Sequence, residues 1–235
     1  MERIIFMIIK RIFIAPFWYL KICMYGKSDK YSESDKYNLI HNIVKKVNKA
    51  GNIKIVSDGK ENLPKDNGYI IFPNHQGLFD ALILLETNEQ PVTFVIKKEI
   101  ENNWFIKRII RLLKAQVMDR DDIRQSLGVI NTMTKEVKEG RNYVIFPEGT
   151  RSKMQNKLLD FKPGSFKSAV NAKCTIVPVA IIDSYKVFDT KSIKKATVKM
   201  SYLKPLYYEE YKEMNTKEIA KIVKIRIEEY IKKNV

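Results

Sequence analysis

Two residues five positions apart carry the first chemical signal in the chain. Phe72-Pro73-Asn74-His75-Gln76-Gly77-Leu78-Phe79-Asp80 follows a short apolar run at 69–72 that reads as a buried strand. His75 therefore falls where the chain leaves a sheet, the place at which open α/β folds keep their reactive groups. A turn containing Gly77 can fold Asp80, at the start of the next helix, back onto the imidazole. A carboxylate that accepts a hydrogen bond from one ring nitrogen fixes the tautomer and leaves the other nitrogen as a base. The plain alternative is a satisfied polar turn. A second exit, Pro147-Glu148-Gly149-Thr150-Arg151-Ser152, follows the apolar run at 143–146. It offers backbone N–H groups and a guanidinium fork to a phosphate, while Glu148 can accept from a hydroxyl. Its plain alternative is a tight loop with a surface ion pair. Lys97-Lys98 and Asp119-Arg120 end two further runs, so cations gather at several strand ends, as an anion pocket requires.

The elements behind these loops follow from periodicity. Helical spacing marks 37–50, with Gly51 as its stop, and again 216–233. Shorter helices are expected at 80–86, 104–114, 164–172 and from the Asp121-Asp122 cap to 139. Strands are expected at 52–57, 69–72, 92–96, 117–118, 143–146, 175–182 and 196–203. Short buried strands alternating with helices predict a single α/β domain with a mixed, largely parallel central sheet flanked by helices. Neither a GxSxG elbow nor a phosphate loop nor a dinucleotide fingerprint is present, and no Cys/His cluster has metal-ligand spacing. His41 sits off the apolar stripe of its helix and is expected to be exposed. Cys23 and Cys174 make no disulfide framework, which points to a reducing compartment.

A net charge of +16 over 235 residues predicts a polyanionic partner, either nucleic acid or an anionic membrane surface. The N-terminus favours the membrane. Residues 4–25 are almost wholly apolar but broken by Lys10, Arg11 and Lys21, and the longest uncharged run, 12–20, is too short to span a bilayer. Pro16 should kink or end a helix there. The segment reads as an interfacial helical anchor, with Phe6, Phe13 and Phe17 in the acyl boundary. Trp18, Tyr19 and Tyr25 would sit at headgroup depth, and Lys10, Arg11 and Lys21 would lie against anionic lipid. The alternative is an ordinary helix packed on the domain. This divides the chain into a membrane-associating segment and linker, 1–35, and a catalytic domain, 36–235. Removing residues up to Tyr25 is expected to reduce vesicle binding more than stability.

His75-x4-Asp80 within NHQGLFD, followed by FPEGTRS at 146–152, resembles the glycerolipid acyltransferase family, in particular its lysophosphatidic acid (1-acylglycerol-3-phosphate) acyltransferases. FVIKKEI at 94–100, VMDR at 117–120, FKPG at 161–164 and IVPV at 176–179 resemble the family's other blocks in order. The glycine that usually precedes the second block is replaced by Ala115-Gln116. The resemblance implies that His75 is the general base and Asp80 its orienting acid. It implies that Glu148, Gly149, Thr150 and Arg151 bind the acceptor, that Arg120 and Lys97 assist with its phosphate, and that Pro178 shapes the donor or acyl site. The implied reaction moves a fatty acyl group from acyl-CoA or acyl-acyl carrier protein, a co-substrate and not a cofactor, to the sn-2 hydroxyl of lysophosphatidic acid. No metal or cofactor is implied, and no nucleic acid is expected as a partner. The implied place is the cytoplasmic face of the cell membrane, peripheral or monotopic. Glycerol 3-phosphate or another lysophospholipid is the alternative acceptor. A non-catalytic basic module for membrane or nucleic acid is a distant alternative.

Overall fold

The computed structural model describes residues 2–235. Helices α1 (Glu2–Lys10), α2 (Ala15–Lys27) and α3 (Glu33–Ala50) lead into β1 (Ile53–Asp58). Then follow β2 (Ile70–Pro73), α4 (Asp80–Thr87), β3 (Val92–Lys97), α5 (Trp104–Leu113), β4 (Gln116–Met118), α6 (Ile123–Lys138) and β5 (Asn142–Val144). A 3-10 turn, Pro163–Phe166, runs into α7 (Lys167–Ala172), and β6 (Ile176–Ile182), α8 (Tyr185–Phe188), β7 (Ala196–Tyr202), α9 (Tyr208–Tyr211) and α10 (Thr216–Asn234) complete the chain. The seven-stranded sheet has the order β1-β7-β6-β2-β5-β3-β4. Every pairing is parallel except β6 with β7. The exits of β2, β3, β4, β5 and β6 therefore lie along one edge, which is what brings loops distant in sequence together.

Burial on both faces explains the continuously apolar strands. All seven residues of β6 are buried. Val177, Val179 and Ile181 pack with Ile71, Val144 and side chains of α1 to α5 and α8. Ile176, Ala180 and Ile182 face the other way, onto α6, α7 and α10. The α/β architecture with a largely parallel sheet flanked by helices matches the expected class.

The N-terminal segment folds as two helices rather than one. The break falls at residues 11–14, and Pro16 sits in the first turn of α2, where its missing N–H is tolerated. Met7 and Ile22 are in the main core cluster. Arg3 is only 1% exposed, and its guanidinium donates to the carbonyls of Val187 (3.0 Å), Gly51 (2.7 Å) and Lys194 (2.7 Å). The opposite face carries Ile5, Ile8, Ile9, Ile12, Phe13, Phe17 and Leu20 on the surface. Truncation up to Tyr25 would therefore strip Arg3, Met7 and Ile22 from the core and cost stability as well as any vesicle binding. Tyr25 stacks on Tyr31 at 3.6 Å between ring centres. His41 also departs from expectation. It is half-buried, with Nδ1 2.7 Å from the carbonyl oxygen of Leu85, because the packed face of α3 extends over α4. Among the described residues, no helix is long and apolar enough to cross a membrane.

Candidate active site

The loop leaving β2 turns back within five residues, and the reason is Asp80. Its carboxylate is fully buried at the start of α4, with Oδ2 accepting from the backbone N–H of Gln76 (2.6 Å) and Gly77 (3.0 Å). These two bonds wind the loop around the acid and deliver the imidazole to it. His75 Nδ1 lies 2.6 Å from the same oxygen. An ionised carboxylate only accepts, so Nδ1 carries the proton and Nε2 keeps its lone pair. Nε2 has no hydrogen-bond partner among the described residues, while the ring stacks on Phe146 at 4.1 Å and remains 21% exposed. A fixed, accessible nitrogen base results. A Cβ at Gly77 would stand 2.5 Å from Asp189 Oδ2 and 3.3 Å from the Tyr185 Cα, so a larger residue there would displace the Asp189 side chain.

The loop after β5 meets this base through the backbone. His75 donates its N–H to Glu148 Oε1 (2.6 Å), and the His75 carbonyl accepts from Ser152 N–H (2.8 Å). Glu148 Oε2 accepts from Leu159 N–H (2.8 Å), so both oxygens of this buried carboxylate are engaged by main chain. Burial pushes Glu148 up to about 7, against the two N–H donors that favour its charged form. The folded state then holds the proton more tightly than the unfolded chain, so stability falls as pH rises from ~4.3 to about 7. That fall should amount to something on the order of 3 kcal/mol. Urea unfolding across this window should show the decline in the wild type and its absence in Glu148→Gln; equal slopes would contradict the assignment.

Cations close around this loop. Arg151 lies 3.7 Å from Asp189 Oδ1 and is half-buried. Gly149 takes a left-handed φ of 76°, and a Cβ there would meet Lys162 Cε at 2.9 Å and Arg120 Nη1 at 3.4 Å. Neither Arg120 nor Lys162 forms an ion pair with a carboxylate among the described residues, and Thr150 is exposed beside them. Lys97 is exposed and paired with Glu99 at 2.5 Å. Pro178 lies inside the sheet, in register with Phe72 and buried, short of the strand exits. Of the N-terminal candidates, Phe13, Phe17, Lys10 and Lys21 are exposed, whereas Phe6, Arg11 and Trp18 are half-buried. Lys10 lies over the Phe6 ring at 4.2 Å, and Arg11 donates to the Lys46 carbonyl at 3.2 Å.

Several residues of the site have no counterpart in the sequence reading. Asn74 bridges to β6, donating to the Ile181 carbonyl (3.0 Å) and accepting from its N–H (2.7 Å). Gln76 donates to Asn156 Oδ1 (2.7 Å) and to the Ile181 carbonyl (3.0 Å). Polar residues flanking a histidine at a strand exit were the available signal for these two. Asn156, Ser184 and Asp189 come from distant loops and give no local signal, whereas Lys162 lies in the FKPG block at 161–164. Among the described residues, no three His, Cys, Asp or Glu side chains gather as metal ligands.

The probable 1-acyl-sn-glycerol-3-phosphate acyltransferase of Mycoplasma pneumoniae is 28% identical over 176 residues, covering 72% of this chain and 65% of that protein. The protein of the same name from Mycoplasma genitalium is 33% identical, covering 63% of this chain and 57% of its own length. The chain thus spans about three fifths of the curated relatives it matches first. The crystal structure of the 1-acyl-sn-glycerophosphate (LPA) acyltransferase PlsC from Thermotoga maritima superposes with a TM-score of 0.79 at 21% identity, covering 99% of this chain and 94% of that one. That likeness carries the fold. A model of the acyltransferase family matches residues 54–182, more than half of the 235, and both loops at the sheet edge lie within the match. The chain belongs to the acyltransferase family.

Proposed function

We propose that the chain is a 1-acylglycerol-3-phosphate O-acyltransferase that moves a fatty acyl group from acyl-CoA or acyl-acyl carrier protein to the sn-2 hydroxyl of lysophosphatidic acid. The observation that carries this reading is the 2.6 Å bond from His75 Nδ1 to a buried Asp80, which leaves Nε2 free beside a loop lined by cations. The names of the relatives support the choice of acceptor. Nε2 takes the proton from the acceptor hydroxyl as its oxygen attacks the thioester carbonyl. The tetrahedral oxyanion collapses to the new ester and expels the thiolate, which receives the proton from the imidazolium. The ring is thereby returned to its starting form, and no acyl-enzyme is needed. Asp80 holds the ring and offsets its transient charge. Arg151, Arg120 and Lys97, with Gly149 and Thr150, receive the phosphate, and Glu148 holds their loop to His75 through the main chain. Acyl transfer to lysophosphatidic acid, glycerol 3-phosphate and a choline lysophospholipid, from each thioester donor, tests this reading. Preference for glycerol 3-phosphate would replace the acceptor, and no transfer to any would end the proposal.

The same proposal includes a peripheral position on the cytoplasmic leaflet. It is supported by the exposed apolar face of α1, α2 and the turn between them, where Phe13 is 91% exposed. Tyr19 joins this face to the exposed Trp104 and Phe105 of α5, at 5.3 Å and 6.4 Å between ring centres. The apolar substrate stays in the bilayer and the thioester donor arrives from water, so an enzyme seated this way draws one substrate from each phase. Burying one Phe side chain contributes about 1.5–3 kcal/mol. The Phe13→Ser, Phe17→Ser double variant should therefore bind anionic vesicles roughly 100-fold more weakly with an unchanged unfolding midpoint. Equal vesicle binding in a flotation assay would remove these residues from the lipid contact.

A further inference from the structure

Asp80 has two carboxylate oxygens, and the dyad explains only one. Oδ2 is shared by His75 Nδ1, Gln76 N–H and Gly77 N–H. Oδ1 points into a buried region, where a charged acceptor without a partner would strongly disfavour the ionised acid. Its partner is the hydroxyl of Ser184, which is 1% exposed and lies just past the end of β6. A serine directly before a helix ordinarily caps it, but this hydroxyl makes no capping bond to α8. The Ser184 N–H donates to Gln76 Oε1 at 3.0 Å, and the hydroxyl lies 3.0 Å from that same oxygen. One hydroxyl proton serves one acceptor, and the ionised carboxylate is the stronger of the two. Gln76 is itself fixed by Asn156 and the Ile181 carbonyl. A rigid chain of contacts thus runs from the end of β6 through Ser184 to Asp80 and on to the imidazole. Ser184 lies outside the segment that the family model matches.

We propose that Ser184 is a positioning residue of the dyad, holding the Asp80 carboxylate by Oδ1 so that Oδ2 faces His75 Nδ1. The proposal rests on the general-base reading of His75. Without the hydroxyl, the carboxylate can rotate about its side-chain bond, and the ring loses its fixed tautomer for part of the time.

Steady-state acyl transfer by Ser184→Ala, Ser184→Thr, Asp80→Ala and the Asp80→Ala, Ser184→Ala double variant tests it. A hydrogen bond to a charged group is worth enough to expect a roughly 10-fold lower kcat for Ser184→Ala, with KM for the acceptor unchanged. Ser184→Thr should recover most of the loss. In the Asp80→Ala background the serine change should cost nothing more, because a residue acting only through Asp80 has nothing left to act on. A kcat equal to wild type, or a loss of the same size without Asp80, would overturn the proposal. Ser184→Cys, similar in volume but a weak donor, should show most of the alanine defect and serves if the alanine protein does not fold. A measurement without substrate separates this proposal from the function. The low-field proton resonance of His75 Nδ1–H should shift or broaden in Ser184→Ala and persist in Ser184→Thr. An unchanged resonance would overturn the role of Ser184, whether or not lysophosphatidic acid proves to be the acceptor.

Discussion

Replacing His75 with alanine is expected to lower acyl transfer roughly 1,000-fold, within the range by which a positioned proton acceptor accelerates such a step. The protein should remain folded. The imidazole is partly exposed, and apart from Asp80 its ring touches the rest of the site by stacking on Phe146. When it is removed, Asp80 keeps the Gln76 and Gly77 N–H donors and the Ser184 hydroxyl, so the buried carboxylate is not stranded. The backbone bonds of residue 75 to Glu148 and Ser152 do not depend on the side chain. The acceptor KM should change little, because the cations proposed to hold the phosphate are left in place. Single-turnover transfer alongside a thermal melt checks both halves. Substantial turnover by a folded alanine variant would rule out the general-base role.

The second large effect is on stability. Arg3→Ala should destabilise the protein by about 3 kcal/mol, in the range found when one partner of a buried charged interaction is removed. Arg3 is buried without a carboxylate, and its charge is balanced by three carbonyl dipoles from three separate segments, at Gly51, Val187 and Lys194. Burial lowers its pKa, yet a guanidinium remains protonated at neutral pH. Truncation leaves three acceptors unpaired and frees α1 from α8 and from the turn after α3. Urea denaturation should show the loss, and hydrogen exchange should rise first around Gly51 and Val187. A change below about 0.5 kcal/mol, the scale of an ordinary surface substitution, would mean that the anchor is energetically idle.

What could be read from the sequence follows the range of the interactions. The strands were located to within a residue or two, β2, β5 and β6 because burial on both faces leaves a contiguous apolar run, and β1 and β7 because one exposed face leaves an alternating one. The candidate pair His75 and Asp80 was legible because it closes within one turn, and the FPEGTRS loop because its donors are consecutive. Ser184 and Asn156 join the site only when β6 is laid beside β2, at separations of 104 and 80 residues, and single polar residues carry no mark of that. Arg3 was illegible for a different reason. Arginine in an amphipathic segment is overwhelmingly a surface residue, and only the convergence of three carbonyls makes its burial tolerable. The apolar N-terminal stretch divides its residues between protein and surface, a split that hydropathy alone does not resolve.

Both main-chain groups of His75 are tied to the neighbouring loop, its N–H to Glu148 and its carbonyl to Ser152. The base and the loop proposed to grip the incoming alcohol are therefore parts of one stiff hinge plate, whose spacing rests on the Glu148 carboxylate and the Ser152 N–H. Exchanging Thr150 or Arg151 could retune the choice of headgroup while the base stays in place. A change at Glu148 would instead shift both parts at once, so variation in substrate preference should be sought at the former positions and loss of turnover at the latter.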